Sequence, residues 1–347
     1  MRRLAGVSLC ALLVTVCAVP GASGERTRIR AVPSAAGGGG CVHRPNARPN
    51  ARTNARTARP RDRADLGRDQ VVAMLGDLRR TLLGRFGTSD ERRLDSSRRM
   101  AKRLVVPVRF HVVHSGRSGR LPRQAVQRQI STLNAAYGGR MGGADTRVRF
   151  RLTGYDRADA PAWFHDPERY ERPMKKRLRK GGRGTLNVYT ADVGSDVLGF
   201  STFPQWYRND PRMDGVVIDY RSLPGGSYGP FSRGYTAVHE IGHWLGLLHT
   251  FEGGCVPPGD GVADTPYEAE PAQGCPHSRD TCAQRGRDPI HNFMDYAHDA
   301  CMHAFTAGQG RRIRSAWAAY RSRGHGRHRV GLGTAGAAGA RTVGAAR

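Results

Sequence analysis

Past residue 19 the chain has no apolar run long enough to cross a membrane, which excludes a later transmembrane span. Acidic residues are absent from 311–347, where nine Lys and Arg stand alone, and sparse in 25–103, which carries a net +12. With Arg2 and Arg3, these flanks hold most of the total of +27 and leave only +4 on residues 104–310. A large positive charge invites a nucleic-acid partner, but its confinement to the flanks argues against one for the central region. Cysteines are few: seven in all, of which Cys41, Cys255, Cys275, Cys282 and Cys301 lie beyond residue 24.

Residues 1–24 begin with Met1-Arg2-Arg3 and a short apolar run, and end in small residues. A charged start, a short apolar stretch and a small-residue end are the pattern of a secretory signal peptide. The expected location is therefore extracellular, where disulfides persist. From 25 to about 68 the chain is Gly-, Pro- and Arg-rich, with Asn-Ala-Arg repeated at 46, 50 and 54. Such a stretch buries too little apolar surface to offset chain entropy and is expected to be disordered. In 69–86, Val71, Val72, Leu75, Leu78, Leu82 and Phe86 form a stripe at helical spacing. Residues 25–103 thus read as a basic, mostly disordered pro-segment with one helix. Arg98-Arg99-Met100-Ala101-Lys102-Arg103 is its natural processing site. Residues 323–347 read as a disordered basic tail.

Between the flanks, residues 104–113, 148–152, 185–189 and 214–220 carry strand patterns, and 124–137 a helical one. Helices alternating with short strands indicate an α+β fold built on a mixed sheet. After residue 249 the strand signal stops, and 253–287 reads as loops held by disulfides. Sequence alone leaves three pairings open for the four cysteines of this region. Thr306-Ala307-Gly308-Gln309 reads as a capping box opening a last helix, with Ile313, Trp317 and Tyr320 on one face.

The most informative stretch is His239-Glu240-Ile241-Gly242-His243-Trp244-Leu245-Gly246-Leu247-Leu248-His249. Two histidines four apart lie on one face of a helix, so their rings can share one Zn²⁺. Gly246 tolerates the left-handed backbone that turns the chain and brings His249 round as a third ligand. Glu240 is placed to reach an attacking water without binding metal. Downstream come Asn292-Phe293-Met294-Asp295-Tyr296, Asp299-Ala300-Cys301 and Phe305-Thr306-Ala307-Gly308-Gln309.

Together these motifs resemble the pappalysin family of metzincin zinc metallopeptidases, over roughly residues 104–320. The resemblance implies a metzincin-type catalytic domain over 104–322: a twisted mixed sheet, the zinc helix, and an irregular disulfide-linked lower subdomain. It implies a secreted zinc endopeptidase, monomeric and made as a zymogen, acting on proteins or peptides with no nucleic-acid partner. The pairing it favours is Cys255–Cys282 and Cys275–Cys301, leaving Cys41 as a candidate thiol ligand that keeps the zymogen inactive. Met294 would floor the three imidazoles, and Tyr296 would stabilise the oxyanion. Asp299 matches an acidic position that selects Arg or Lys after the scissile bond. Asp260 and Asp264 are candidate Ca²⁺ ligands, with simple turn formation the alternative. The competing readings are a metal-dependent amidase of small or cell-wall peptides and a non-catalytic binding protein on the same scaffold.

Overall fold

The computed structural model describes residues 64–97, 103–194 and 197–322. The expectations for the signal peptide, Cys41 and the basic tail fall outside these residues. Among the described residues, no helix is long and apolar enough to cross a membrane.

Two helices precede the sheet, α1 (Arg68–Phe86) and α2 (Glu91–Ser96). Then follow β1 (Leu104–His114), α3 (Arg123–Ala136), β2 (Val148–Asp159), α4 (Pro161–His165) and α5 (Glu171–Leu178). Next come β3 (Leu186–Ala191), β4 (Gly199–Ser201), β5 (Val216–Asp219), α6 (Tyr235–Trp244) and α7 (Ala307–Ala316). The sheet order is β2-β1-β3-β5-β4, with all pairs parallel except β4 against β5.

Side-chain alternation divides the core between the two faces of this sheet. Val106, Val108, Phe110 and Val112 of β1, Leu186 and Val188 of β3, and Val216 and Ile218 of β5 pack with α3 and α6. Val113, Tyr189, Ala191 and Val217 turn to the other face and meet Phe164 of α4 and Met174 of α5. Burial on both sides explains why the β-branched runs of β1, β3 and β5 are legible in the sequence. β2 runs on to Asp159, well past the expected residue 152. Its second half is an edge rich in Arg and Asp, so no apolar alternation announces it. A register shift opposite Val108 and Arg109 lets it continue, and Arg109 lies where a side chain on Gly154 would be.

After α6 no helix or strand occurs among the residues up to Thr306. Two disulfides hold this region, Cys255–Cys282 and Cys275–Cys301, with Cα separations of 5.4 and 5.6 Å. The chain becomes regular again where Thr306 caps α7. Its hydroxyl accepts from the Gln309 amide at 3.0 Å, and Gln309 Oε1 accepts the Thr306 amide at 2.9 Å. The Gln309 side chain also exchanges two hydrogen bonds with Asn292, at 2.9 and 3.0 Å. One capping residue thereby ties the last helix to the methionine turn.

Of the segment before the sheet, the described residues 64–97 pack against the catalytic region. Leu78 and Leu82 of α1 pack with Leu94 of α2 on Ala316, Ala319 and Tyr320. Val72, included in the expected stripe, is instead exposed. The second helix has only Leu94 as an apolar anchor, too little for a periodic signal. Ion pairs place it: Glu91 with Arg312 at 2.6 Å, and Asp95 with Arg314 at 2.7 Å and Arg147 at 2.6 Å.

Candidate active site

α6 starts at Gly234, whose φ of +85° suits glycine, and where a side chain would meet Gln129 and Pro224. Within the core Tyr137 donates a hydrogen bond to the Val238 carbonyl at 2.9 Å, fixing the helix one residue before its first histidine. Leu245 caps the C-terminal end of the helix, and Gly246 at φ +98° turns the chain sharply. A side chain there would collide with Ala316. The turn carries His249 back beside His239 and His243, and all three imidazoles are buried.

Nε2 of His243 lies 3.0 Å from Nε2 of His239 and 3.1 Å from Nε2 of His249. On the far side, Nδ1 of His239 faces the Phe293 carbonyl at 2.8 Å and Nδ1 of His243 the Leu247 carbonyl at 2.9 Å. Those carbonyls require Nδ1–H donors, which leaves lone pairs on both Nε2 atoms. Lone pairs brought this close repel unless a cation lies between them. Zn–N bonds of about 2.0–2.1 Å set tetrahedral ligands roughly 3.3 Å apart, close to the spacing found. The donor set therefore fits zinc. Among the described residues these histidines are the one group of three or more His, Cys, Asp or Glu side chains close enough to hold a metal.

Met294 is fully buried under the site, and Gly242, one residue before His243, leaves room for its sulfur. The Tyr296 hydroxyl lies 3.1 Å from His249 Nε2, at the open side of the three rings. Its amide donates to Asp295 Oδ1 at 2.7 Å, and the same oxygen accepts the Ala272 amide at 2.9 Å. Asp295 and Glu268 form a buried acidic pair behind the turn. Burial, with the neighbouring Asp295 charge, pushes Glu268 up to about 8.

A cleft of about 350 Å³ opens beside the triad and is lined by Thr236, His239, Glu240, Tyr296, His298 and Asp299 among others. Glu240 is buried at its inner end, facing Gly199 of β4. Asp299 lies in the wall beyond the triad, and its Oδ2 accepts the Arg233 amide at 2.8 Å. Burial pushes the Asp299 carboxyl up to about 6, against the pull of nearby backbone N–H groups and the Arg233 charge. Glu240, Tyr296 and Asp299 thus share one cleft with His239, the first histidine of the triad.

The Pregnancy-associated plasma protein-A peptidase model (M43) matches residues 186–318. An extracellular metalloprotease of Verticillium alfalfae is 43% identical over 221 residues, 62% of this chain and 77% of that protein. One from Sordaria macrospora is 44% identical over 226 residues, 63% of this chain and 76% of that protein. The chain belongs to the pappalysin family. Tannerella forsythia promirolysin, solved as a mutant, superposes with a TM-score of 0.60 at 26% identity, covering 72% of this chain and 89% of that one. Mature mirolysin with a cleaved peptide gives 0.55 at 28% identity, covering 62% and 91%. This pappalysin is accordingly a zinc metallopeptidase of the metzincin class, and its substrates are peptides or proteins.

Elsewhere in this pappalysin, Asp264 takes the Thr306 hydroxyl at 2.8 Å and the Gly308 amide at 2.7 Å, closing the start of α7. Asp260 Oδ1 accepts the Val262 amide at 2.9 Å, and burial pushes its carboxyl up to about 7. Sequence reasoning missed Asp295, which carries no spacing signal because both its partners are backbone amides. It also missed Asp65, whose carboxylate lies 3.5 Å from the Tyr296 hydroxyl and 3.6 Å from His249 Nδ1.

Proposed function

We propose that this pappalysin is exported as a zymogen and hydrolyses peptide bonds on the amino side of Arg or Lys. Glu240 is its general base and acid, taking a proton from the attacking water and delivering it to the leaving amine. Zinc, when bound by His239, His243 and His249, supplies the Lewis acidity that polarises the scissile carbonyl. The Tyr296 hydroxyl donates to the oxyanion as it forms, held in place by the Asp295 grip on its amide. Met294 supports the histidines from below and takes no part in the chemistry.

The observation that carries the specificity is the Asp299 carboxylate, buried in the wall of the cleft that Glu240 and Tyr296 also line. A guanidinium entering that wall meets a charge-assisted acceptor worth about 1.5–3 kcal/mol, roughly ten- to a hundredfold in preference. The export reading rests on the residue 1–24 pattern and on relatives named extracellular metalloproteases. The zymogen reading is supported by the longer match to promirolysin than to mature mirolysin. For Asp260 and Asp264 the turn-forming role fits better than a Ca²⁺ site, since Asp264 spends both oxygens on α7.

A peptide library cleaved by wild type and by Asp299→Ala tests the specificity. Wild type is expected to favour Arg or Lys after the cut, and the variant to lose about ten- to a hundredfold of that preference. The preference also has a pH signature. Asp299, raised to about 6, is neutral below that value and charged above it, so the Arg-over-Ala ratio should rise with pH through about 6. A wild-type preference for apolar residues would sink this assignment.

A further inference from the structure

The +4 carried by residues 104–310 is unevenly spread. Residues 168–183 hold eight Lys or Arg against two acids, a net +6, so the rest of that region is slightly acidic. Three of the chain's four lysines are here, Lys175, Lys176 and Lys180. Part of this charge serves the fold. Lys175 is fully buried, paired with Glu171 at 2.7 Å and donating to the Met213 carbonyl at 2.8 Å. Arg172 meets Asp210 at 2.9 Å, and Arg179 donates to the Gly181 and Gly182 carbonyls at 3.0 and 3.3 Å, closing the turn after α5. Arg169, Lys176, Arg177, Lys180 and Arg183 are left over: all are exposed, and none pairs with an acid among the described residues. Offsetting the dipole of α5 accounts for the cations in its last turn, Lys176 and Arg177. It does not account for Arg169 before the helix or for Lys180 and Arg183 beyond it.

We propose that this basic face is an anchoring site for a linear polysaccharide bearing sulfate or phosphate esters, which holds the enzyme while its cleft stays open. Five unpaired cations on one short helix and its flanking turns repel one another. An anionic polymer relieves that repulsion and releases its own counter-ions on binding. The turn is preorganised, since Arg179 fastens it from within and Gly181 adopts its φ of +82° without strain. Two features of the face select the class of polyanion. Tyr207 lies under Arg179 and Arg183 at 5.6 and 5.8 Å, and Tyr170 under Arg169 at 5.6 Å. Both rings are thus engaged by guanidiniums instead of standing open to stack on nucleic-acid bases. None of the exposed large apolar side chains among the described residues lies here, so the face offers nothing to insert into a lipid surface. Met174 docks α5 on the face of the sheet that carries Tyr189 and Val217, whereas α6 packs on the other. A bound polymer therefore has the sheet between it and the zinc helix.

The test uses the full-length chain, with heparin as the sulfate ester and phosphomannan as the phosphate ester. The Arg-rich flanks also attract polyanions, so overall affinity does not isolate the face, but lysine chemistry does. Acetylation by an N-hydroxysuccinimide ester, mapped by mass spectrometry, is expected to slow about tenfold or more at Lys176 and Lys180 under saturating heparin or phosphomannan. It should recover in about 1 M salt. Protection by either polymer supports the anchor, and protection by one alone identifies the ester. The triple change Lys176→Gln, Arg177→Gln and Lys180→Gln should weaken binding about tenfold at about 0.15 M salt, with hydrolysis of a short peptide unchanged. The matched change Arg120→Gln, Arg123→Gln and Arg128→Gln removes the same charge from exposed positions in and just before α3. It should cost less than about threefold. Unprotected lysines, or equal losses in the two triple variants, overturn the anchor and leave only diffuse attraction to net charge. Equal or stronger protection by duplex DNA or by phosphatidylserine vesicles overturns it in favour of those partners.

Discussion

Glu240→Ala in the processed enzyme should lower kcat by about 10²–10⁴-fold while zinc content and thermal stability stay at wild-type values. The reason is geometric. Glu240 and His239 are neighbours in α6 and both line the cleft, but only the histidines converge their Nε2 atoms. Removing the carboxylate takes away the proton acceptor and leaves the metal cradle untouched, because both Nδ1 anchors are backbone carbonyls. Metal analysis and steady-state kinetics on the same preparation decide the matter. Normal turnover in the variant, or parallel loss of zinc and activity, would each remove Glu240 from the chemistry.

Asp214→Ala should destabilise the protein by about 3–5 kcal/mol, since it leaves a buried guanidinium without its counter-ion. Arg321 and Asp214 side chains are both fully buried and meet at 3.0 Å. Arg321 also stacks 3.5 Å over the Trp244 ring and donates to the Trp244 carbonyl at 3.0 Å, while the indole N–H donates to Asp214 at 3.1 Å. Burial pulls the Arg321 pKa down and the Asp214 charge holds it up, so the ion is maintained by that carboxylate. This network grips the last residue of the zinc helix. A domain of this size loses roughly 2–4 °C per kcal/mol, so the melting point should fall by several degrees at the least. The double change Asp214→Leu with Arg321→Met should recover much of the loss, because it removes both partners of the fully buried pair. A single variant that melts within a degree of wild type would falsify the central place given to this pair.

The residues legible in advance share one property: their signal is short-range. His239, Glu240 and His243 announce themselves by helical spacing, Gly246 by the turn it allows, and Thr306 with Gln309 by the capping box. The strands β1, β3 and β5 are legible because both faces are buried and demand apolar side chains. The edge strands β2 and β4 are less so, β2 because half of it faces solvent and β4 because three residues carry no period. The short helices α4 and α5 each have one fully buried apolar anchor, Phe164 and Met174, too sparse to read as a stripe.

The sequence by itself determined the metal-binding chemistry, the mixed α+β framework and the break between a regular upper and a loop-rich lower half. Spacing along a helix or strand fixes which side chains share a face, and composition fixes where regular structure stops. Only the tertiary structure decided the partners that are distant in the chain. It set Asp65 against Tyr296, 231 positions apart, Arg321 under Trp244, 77 apart, and Asp95 between Arg147 and Arg314. No local pattern encodes such pairs, because each is chosen by how whole elements pack. A lone aspartate in a polar stretch looks the same whether solvent or an active-site tyrosine faces it.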